Sequence, residues 1–189
     1  MSWRYEIRLS GEGGQGLVLA GRILAEAAAI HSGLNATQSQ SYGPEARGGH
    51  SKSEVILSDD EIDYPKAVSV DFLLALTQES YNRYRHDLKP GAIVLVDESV
   101  KADPEHGEWS LYQTGIVHLA QERLGRALFA NIVAVGLIGG LAKILDREAL
   151  QEATKARVPK GTEEKNLEAL AIGFEEAARL FGGTPASTH

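Results

Sequence analysis

The sequence predicts an α/β protein, a single Rossmann-like domain in which helices flank a mostly parallel sheet. A run with strand-like alternation, residues 5–9, is followed at once by clustered glycines and then by an Ala/Leu-rich stretch with helical spacing, residues 17–30. Residues 71–77 and 92–96 are continuous apolar runs, which are typical of buried parallel strands. A chain of 189 residues with 43% hydrophobic content is long enough for one compact domain and too short for two ordinary ones.

The first unit contains a glycine-rich turn, residues 11–16, between the first strand and the first helix. Glycines allow positive φ and close approach to a ligand, and a helix start offers unpaired N–H groups and the positive end of the helix dipole. The turn is therefore predicted to bind an anion such as a phosphate or pyrophosphate. The alternative is that the glycines only let the strand and the helix pack closely.

The glycine spacing in this turn also fits the dinucleotide-binding pattern Gly-x-Gly-x-x-Gly. That pattern requires an acidic residue about 20 positions further on, which holds a ribose hydroxyl. Residues 27–44 contain no Asp or Glu, and residues 23–46 contain no Lys or Arg that would take a 2′-phosphate instead. A nicotinamide cofactor is therefore disfavoured. The turn also lacks the Lys-Ser/Thr pair of a nucleoside-triphosphate P-loop.

The second unit is an extended segment, residues 34–40, followed by a second glycine-rich loop, residues 41–50. The segment is too polar for a central strand, so it either forms an edge strand or lines a site with its end. Loops that follow successive parallel strands lie at one edge of the sheet, so this loop is expected to close over the first turn. Arg47 is its natural anion ligand because the guanidinium matches phosphate or carboxylate. The alternative pairs Arg47 with Glu45 or another surface acid.

The remaining elements follow from hydrophobic periodicity and from breakers. They are strands over residues 51–57, 71–77, 92–96 and 109–112, and helices over residues 78–88, 117–124, 128–145 and 146–156, with a last helix opened by a capping motif at 162–165 and running to residue 181. The domain is expected to span residues 1–181, with a flexible tail at 182–189.

The predicted helix over residues 128–145 is apolar nearly all round. It must therefore be covered, either by this chain or by a partner subunit. Its glycines, Gly136, Gly139 and Gly140, permit another element to come close. Asn131 lies within it, and an amide among apolar neighbours is either a satisfied core residue or reaches a ligand.

Composition excludes several classes of function. With 19 basic and 26 acidic residues, a formal net charge of −7, the chain is not built to neutralise nucleic-acid phosphates. It has no cysteine, so it holds no disulfide, thiolate zinc site, ordinary iron–sulfur cluster or cysteine nucleophile. The six histidines form no metal-binding pair, and no Gly-x-Ser-x-Gly elbow is present. No signal layout opens the chain and no apolar run reaches membrane-spanning length, so a cytoplasmic location is expected.

Five segments together resemble the gamma subunit of 2-oxoacid:ferredoxin oxidoreductases. They are residues 11–16, 40–49, 71–76, Asn131 within an apolar helix, and 165–169. The resemblance covers nearly the whole chain, and the form Ser-Tyr-Gly-Pro-Glu-Ala-Arg is closest to the 2-oxoglutarate (2-oxoglutarate synthase) branch. The pyruvate and branched-chain branches remain open.

The resemblance implies a multi-subunit enzyme that decarboxylates a 2-oxoacid on thiamine diphosphate, passes electrons through iron–sulfur clusters to ferredoxin, and delivers the acyl group to coenzyme A. In that family the thiamine diphosphate, with its Mg, lies between the alpha and beta subunits, and cysteines of other subunits, such as a ferredoxin-like delta subunit, hold the clusters. This chain has no cysteine and no Gly-Asp-Gly thiamine motif. It is therefore expected to be non-catalytic by itself.

The gamma subunit is implied to help hold coenzyme A, whose phosphates are the anions that suit the glycine turns. The residues expected to bind it are Gly13, Gly14, Gln15 and Gly16 in the first turn, then Ser41, Arg47, Gly48 and Gly49 in the second loop, with Asn131 as a weaker candidate. Three alternatives stay open. The loops and the 128–145 helix dock the alpha and beta subunits without a ligand, the chain is a purely structural subunit, or it is a free-standing dinucleotide oxidoreductase.

Overall fold

The computed structural model describes residues 2–43, 49–103 and 108–182. These residues form six strands and six α-helices. The strands are β1 (Arg4–Glu12), β2 (Asn35–Tyr42), β3 (His50–Ser58), β4 (Val70–Ala75), β5 (Leu88–Asp97) and β6 (Ser110–Thr114), and the helices are α1 (Leu17–His31), α2 (Gln78–Tyr84), α3 (Ile116–Leu124), α4 (Ala130–Ala142), α5 (Arg147–Arg157) and α6 (Glu163–Gly182).

The sheet has the strand order β2-β3-β1-β4-β5-β6. Strands β1, β4, β5 and β6 pair in parallel, whereas β3 is antiparallel to both of its neighbours. The predicted mostly parallel α/β sheet is confirmed. Because β3 is inserted beside β1, the polar β2 is the edge strand, which is one of the two interpretations left open for it. Because β3 is antiparallel to both β1 and β2, these two strands run in the same direction. Their C-terminal ends therefore lie at the same edge of the sheet.

The first face of the sheet carries the main core. Ile7 and Leu9 of β1 are fully buried there, together with Val55, Phe72 and Leu95 from neighbouring strands. Successive residues of a strand point to opposite faces, so alternate residues of β1, β3, β4 and β5 join this core. Helices α1, α3, α4, α5 and α6 supply its other half.

The second face differs along its width. Over β4 and β5 it is apolar and packs against α2 through Tyr81. Over β1 it is polar, because the residues that point to this face are Glu6, Arg8 and Ser10. All three are at most 3% exposed. The segment 59–69, which connects β3 to β4, covers Glu6 and Arg8, whereas Ser10 contacts α2 through the hydroxyl of Ser80 at 2.8 Å.

Helix α4 is covered by its own chain. Eleven of its 13 residues are buried. It packs on α6 through two glycines, Gly136 and Gly173, where an added Cβ on Gly173 would lie 2.1 Å from the carbonyl oxygen of Val133. The predicted close approach of another element is confirmed, and α6 is that element. Of the two ways to cover this helix, the structure shows cover by the same chain, since almost no face of α4 is left free, whereas Leu128 in the preceding turn is 59% exposed.

Several predicted boundaries are wrong for local reasons. Helix α2 ends at Tyr84 and a single 3-10 turn follows, so that residues 89–91 belong to β5 and do not end a long helix. The start of the last helix is correct, because α6 begins at Glu163 directly after Thr162, whose hydroxyl donates to the carbonyl of Pro159 at 2.6 Å and accepts from Nδ2 of Asn166 at 3.0 Å. Helix α6 continues through Gly182, and the rest of the predicted tail lies outside the described residues. No helix in the described part of the chain combines the length and the apolar composition needed to cross a bilayer.

Candidate functional site

The glycine turn joins the end of β1 to the start of α1. Gly14 and Gly16 have φ of 87° and 74°, a left-handed conformation that residues other than glycine rarely adopt. Gly16 is the N-cap of α1, and no side chain caps that helix start. The first turn of α1 also contains no acidic residue. Its N–H groups and the positive end of its dipole therefore favour an anion.

The second glycine-rich loop touches the first turn. The N–H of Gly13 donates to the carbonyl of Gly49 at 2.7 Å, and the N–H of Gly43 donates to the carbonyl of His50 at 2.7 Å. The first bond joins the end of the loop to the turn, and the second joins the two flanks of the loop to each other. Closure of the loop over the turn stays a prediction. Arg47 and Gly48 lie outside the described residues.

Gln15 holds the turn in shape. Its Oε1 accepts the N–H of Glu12 at 2.7 Å. The same oxygen lies 2.1 Å from where a Cβ of Gly11 would stand, so the amide fills the space that this glycine leaves. Gln15 lies in the turn and its oxygen serves the backbone, so its contact with a ligand stays a prediction. Its side-chain NH₂ is the group left to meet a ligand.

Asn131 connects α4 to the same turn. Its Nδ2 donates to the carbonyl of Gly16 at 3.3 Å, and its Oδ1 accepts the N–H of Ile132 at 2.9 Å. It is 7% exposed. Of the two interpretations of this buried amide, the structure supports a satisfied residue that fixes the helix start. Asn131 lies 115 residues after Gly16 in the sequence.

A cavity of about 380 Å³ opens beside the turn. Most of its wall is apolar, and it is lined by Gly14, Gln15, Gly16, Leu76, Val117, Ala127, Leu128 and Ala130. Sequence reasoning did not identify the apolar members. The available signal was their position, since Leu76 directly follows β4 and Val117 lies in the first turn of α3, both at the edge of the sheet where parallel strands end. Leu128 is 59% exposed at the cavity mouth.

Asp97 is a further residue that the sequence left without a role. It ends β5, and its Oδ2 accepts the N–H of Ile116 at 3.0 Å at the start of α3. Its Oδ1 accepts the Ser99 N–H at 3.2 Å and the Ser99 hydroxyl at 3.0 Å. Asp97 therefore places α3, and with it Val117, against the cavity.

Ser41 lies elsewhere. It pairs with Lys52 across the β2–β3 ladder and lines a separate cleft on the second face of the sheet. The structure therefore brings together the glycine turn, Gly49 and Asn131, but it does not bring Ser41 into the cavity beside the turn. Among the described residues no group of three or more His, Cys, Asp or Glu side chains is arranged to hold a metal ion.

Two touching glycine loops and a buried asparagine on the facing helix are the features on which the gamma-subunit resemblance was based. Residues 6–176 match the family model described as pyruvate ferredoxin/flavodoxin oxidoreductase. The chain belongs to this family. The match spans both glycine loops, Asn131 and most of α6.

Individual members of the family are similar over almost their full length. The 2-oxoglutarate synthase subunit KorC of Methanocaldococcus jannaschii is 47% identical over 94% of this chain and 96% of its own. The gamma subunit of a keto/oxoacid ferredoxin oxidoreductase from Geobacter sulfurreducens is also 47% identical, with a TM-score of 0.85 over 94% of this chain and 98% of that one. The resemblance to gamma subunits is confirmed.

A more distant structure shows the same fold within a longer polypeptide. It is the 2-oxoglutarate:ferredoxin oxidoreductase from Magnetococcus marinus with 2-oxoglutarate, coenzyme A and succinyl-CoA bound. The TM-score is 0.78 at 23% identity, and the match covers 97% of this chain but 32% of that one. In that enzyme the equivalent of this chain is one part of a larger chain.

Proposed function

We propose that this chain is the gamma subunit of a cytoplasmic 2-oxoglutarate:ferredoxin oxidoreductase and that its glycine turn holds coenzyme A. The assembled enzyme converts 2-oxoglutarate, coenzyme A and oxidised ferredoxin into succinyl-CoA, CO₂ and reduced ferredoxin. The observation that carries the proposal is the contact between the two glycine loops at the uncapped start of α1. The 47% identity to a 2-oxoglutarate synthase subunit supports the choice of 2-oxoacid.

Coenzyme A matches both parts of the site. Its phosphates suit the free amides of the turn and the positive end of the α1 dipole. Its pantetheine arm is long and only moderately polar, which suits the apolar wall formed by Leu76, Val117 and Leu128. Arg47, in the adjoining loop, supplies the positive charge that the backbone lacks.

This chain binds and orients, and its partners carry the redox chemistry. Thiamine diphosphate, when bound to the alpha and beta subunits with its Mg, supplies the carbanion chemistry of decarboxylation. A chain without cysteine does not offer the thiolates that an ordinary iron–sulfur cluster needs. The clusters therefore belong to partners such as a ferredoxin-like delta subunit, and ferredoxin is the final acceptor. The residues of the glycine turn fix the coenzyme so that its thiol meets the acyl group.

Replacing Arg47 by alanine in the assembled complex is expected to raise the dissociation constant and the KM for coenzyme A by roughly 10- to 150-fold. This corresponds to the loss of one charged hydrogen bond, about 1.5–3 kcal/mol. Calorimetric titration and dye-reduction kinetics measure the two constants. Arg22→Ala is the control, because Arg22 is exposed on α1. An unchanged KM in Arg47→Ala would refute the role of Arg47.

The charge at the turn is tested at Gln15. Gln15→Glu keeps an oxygen for the Glu12 N–H, so the turn keeps its shape, but it adds a negative charge beside the ligand. The expected result is a rise of about tenfold in the KM for coenzyme A with an unchanged melting temperature. Gln151→Glu on α5 adds the same charge away from the site. Equal KM values in the two variants would argue against a bound phosphate.

The substrate branch is tested on the complex purified from its native cytoplasm through a tag on this chain. Reduction of a viologen dye that depends on coenzyme A and 2-oxoglutarate, with two or more larger partners in the eluate, is expected. Faster reduction with pyruvate or a branched-chain 2-oxoacid would move the protein to another branch of the family. A chain that elutes alone and inactive would contradict the subunit assignment.

A further inference from the structure

Strand β2 is an open edge of the sheet. It pairs with β3 on one side, and no strand of the described residues lies on its other side. The N–H of Gly43 donates to the carbonyl of His50, and this pair continues the β2–β3 register, so the odd-numbered residues of β2 form the hydrogen-bonded pairs with β3. Because the pattern alternates along an antiparallel ladder, the N–H and C=O groups that point away from β3 belong to Ala36, Gln38, Gln40 and Tyr42.

This edge lacks the features that usually prevent a further strand from pairing. Exposed edge strands are commonly protected by charged side chains, by proline, by a bulge or by being short. Strand β2 has eight residues, none of which is charged or proline, and its pairs with β3 follow one unbroken register. The opposite edge strand, β6, has only five residues. Strand β2 is therefore the edge that is suited to strand addition.

The surface around β2 carries no charged side chain. Residues 27–44, which include the end of α1 and all of β2, contain no Asp, Glu, Lys or Arg, although charged residues make up 24% of the chain. In a twofold contact between two copies, a charge near the axis lies close to its own copy and is repelled. A different partner would be able to offer the opposite charge instead. An edge without charge, on a chain with a net charge of −7, therefore favours a second copy as the occupant.

The side chains of β2 are also complementary to themselves. Six of its eight residues are Asn, Thr, Gln or Ser, which both donate and accept hydrogen bonds, so identical groups are able to pair. Its exposed apolar groups lie at opposite ends. Tyr42 ends the strand and is 64% exposed, and Ile30, in the last turn of α1 just before the strand, is 65% exposed.

An antiparallel pair of β2 strands brings these apolar ends together. The end of one strand then lies beside the start of the other, so Tyr42 of one copy comes next to Ile30 of its partner copy. The two side chains also lie on the same side of the sheet. Tyr42 shares its face of β2 with Ala36, which packs against the main core that includes α1. The contact therefore covers exposed apolar surface on both copies.

We infer that β2 pairs antiparallel with β2 of a second copy of this chain and joins the two sheets into one. The register that uses every outward backbone group places Ala36 opposite Tyr42 and Gln38 opposite Gln40. The twofold axis then passes at Ser39, which faces its own copy in a non-hydrogen-bonded pair with a Cα···Cα distance of about 4.5 Å.

The inference goes beyond the proposed function and does not depend on the coenzyme A site. None of residues 35–42 lines the cavity beside the glycine turn. Substitutions on the open edge of β2 are therefore expected to change self-association and to leave the KM for coenzyme A unchanged in the assembled complex.

The first test is disulfide trapping, which is clean because the chain has no cysteine. In Ser39→Cys the two thiols of a paired dimer lie at a separation typical of disulfides. Mild oxidation of the dilute full chain is expected to convert most of it to a covalent dimer. Ser41→Cys is the matched control, because Ser41 is exposed on the same face of β2 but lies about 14 Å from its own copy in this register. Equal yields of dimer from the two variants would overturn the inference.

The second test is a charge at the axis. Ser39→Lys places two ammonium groups opposite each other and is expected to raise the dissociation constant of the dimer about fivefold, measured by sedimentation equilibrium. Ser41→Lys faces the neutral Thr37 of the other copy and is expected to change it little. A wild-type chain that stays monomeric by itself and is present as one copy in the complex would overturn the inference. So would a complex in which β2 pairs with a strand of a different subunit.

Discussion

Gly173→Ala is expected to lower the free energy of unfolding by about 3 kcal/mol, at the upper end of overpacking costs. The added Cβ would lie 2.1 Å from the carbonyl oxygen of Val133 and 2.8 Å from the Cα of Gly136. These are backbone atoms of α4, so no side chain is able to turn aside and the two helices must separate. The better helix propensity of alanine returns about 1 kcal/mol at most.

The measurement is urea or thermal unfolding of the purified chain, in which about 3 kcal/mol corresponds to a fall of roughly 6–12 °C in melting temperature. Gly182→Ala is the control on the same helix, because nothing lies within 4 Å of its added Cβ. It is expected to change the melting temperature little. If the Gly173→Ala chain had the same melting temperature as the Gly182→Ala control, α4 and α6 would not pack through Gly136 and Gly173.

Gly16→Ala is expected to disrupt the glycine turn and with it the binding of coenzyme A. Alanine at φ 74° costs about 1–2 kcal/mol in backbone strain. Its Cβ would also lie 2.5 Å from Nδ2 of Asn131, which must then move and give up its bond to the Gly16 carbonyl. We expect the KM for coenzyme A to rise by more than tenfold, together with a loss of about 2–3 kcal/mol in stability.

Two further glycines separate strain from ligand contact. Gly14 and Gly91 have φ of 87° and 80°, and an added Cβ meets nothing within 4 Å at either position. Both alanine variants are therefore expected to lose a similar amount of stability. Only Gly14→Ala is expected to raise the KM for coenzyme A, because Gly14 lines the cavity and Gly91 lies in β5. If Gly14→Ala and Gly91→Ala changed the KM for coenzyme A equally, coenzyme A would not bind at the glycine turn.

Much of the secondary structure could be predicted from local patterns. Helix α1 begins at Leu17 as its spacing and the preceding glycines indicated. It ends at His31, just before Ser32 and Gly33, and Gly33 has φ of 68°. Strands β4 and β5 contain the continuous apolar runs expected of buried parallel strands. The errors occur at boundaries such as the end of α2. The polar sequence there is compatible both with one long helix and with a short helix followed by a turn.

The order of residues along the chain was enough to predict where an anion site would lie. A strand, a glycine turn and a helix follow one another within residues 4–31, so their geometry depends on short-range backbone conformation. The absence of cysteine and of an acid at the ribose position likewise narrows the chemistry without any structure. From these features the sequence predicts an α/β subunit, which is confirmed, and an anion site without a redox centre of its own, which stays a prediction.

The tertiary structure alone decided how distant segments meet. Only the fold shows that β3 runs antiparallel beside β1, that Asn131 fixes Gly16 from 115 residues away, and that Ser41 faces a different cleft from the turn. Local propensity does not encode such pairings, because they depend on which surfaces bury together once the chain collapses. The sequence therefore determined the turn, and packing determined what surrounds it.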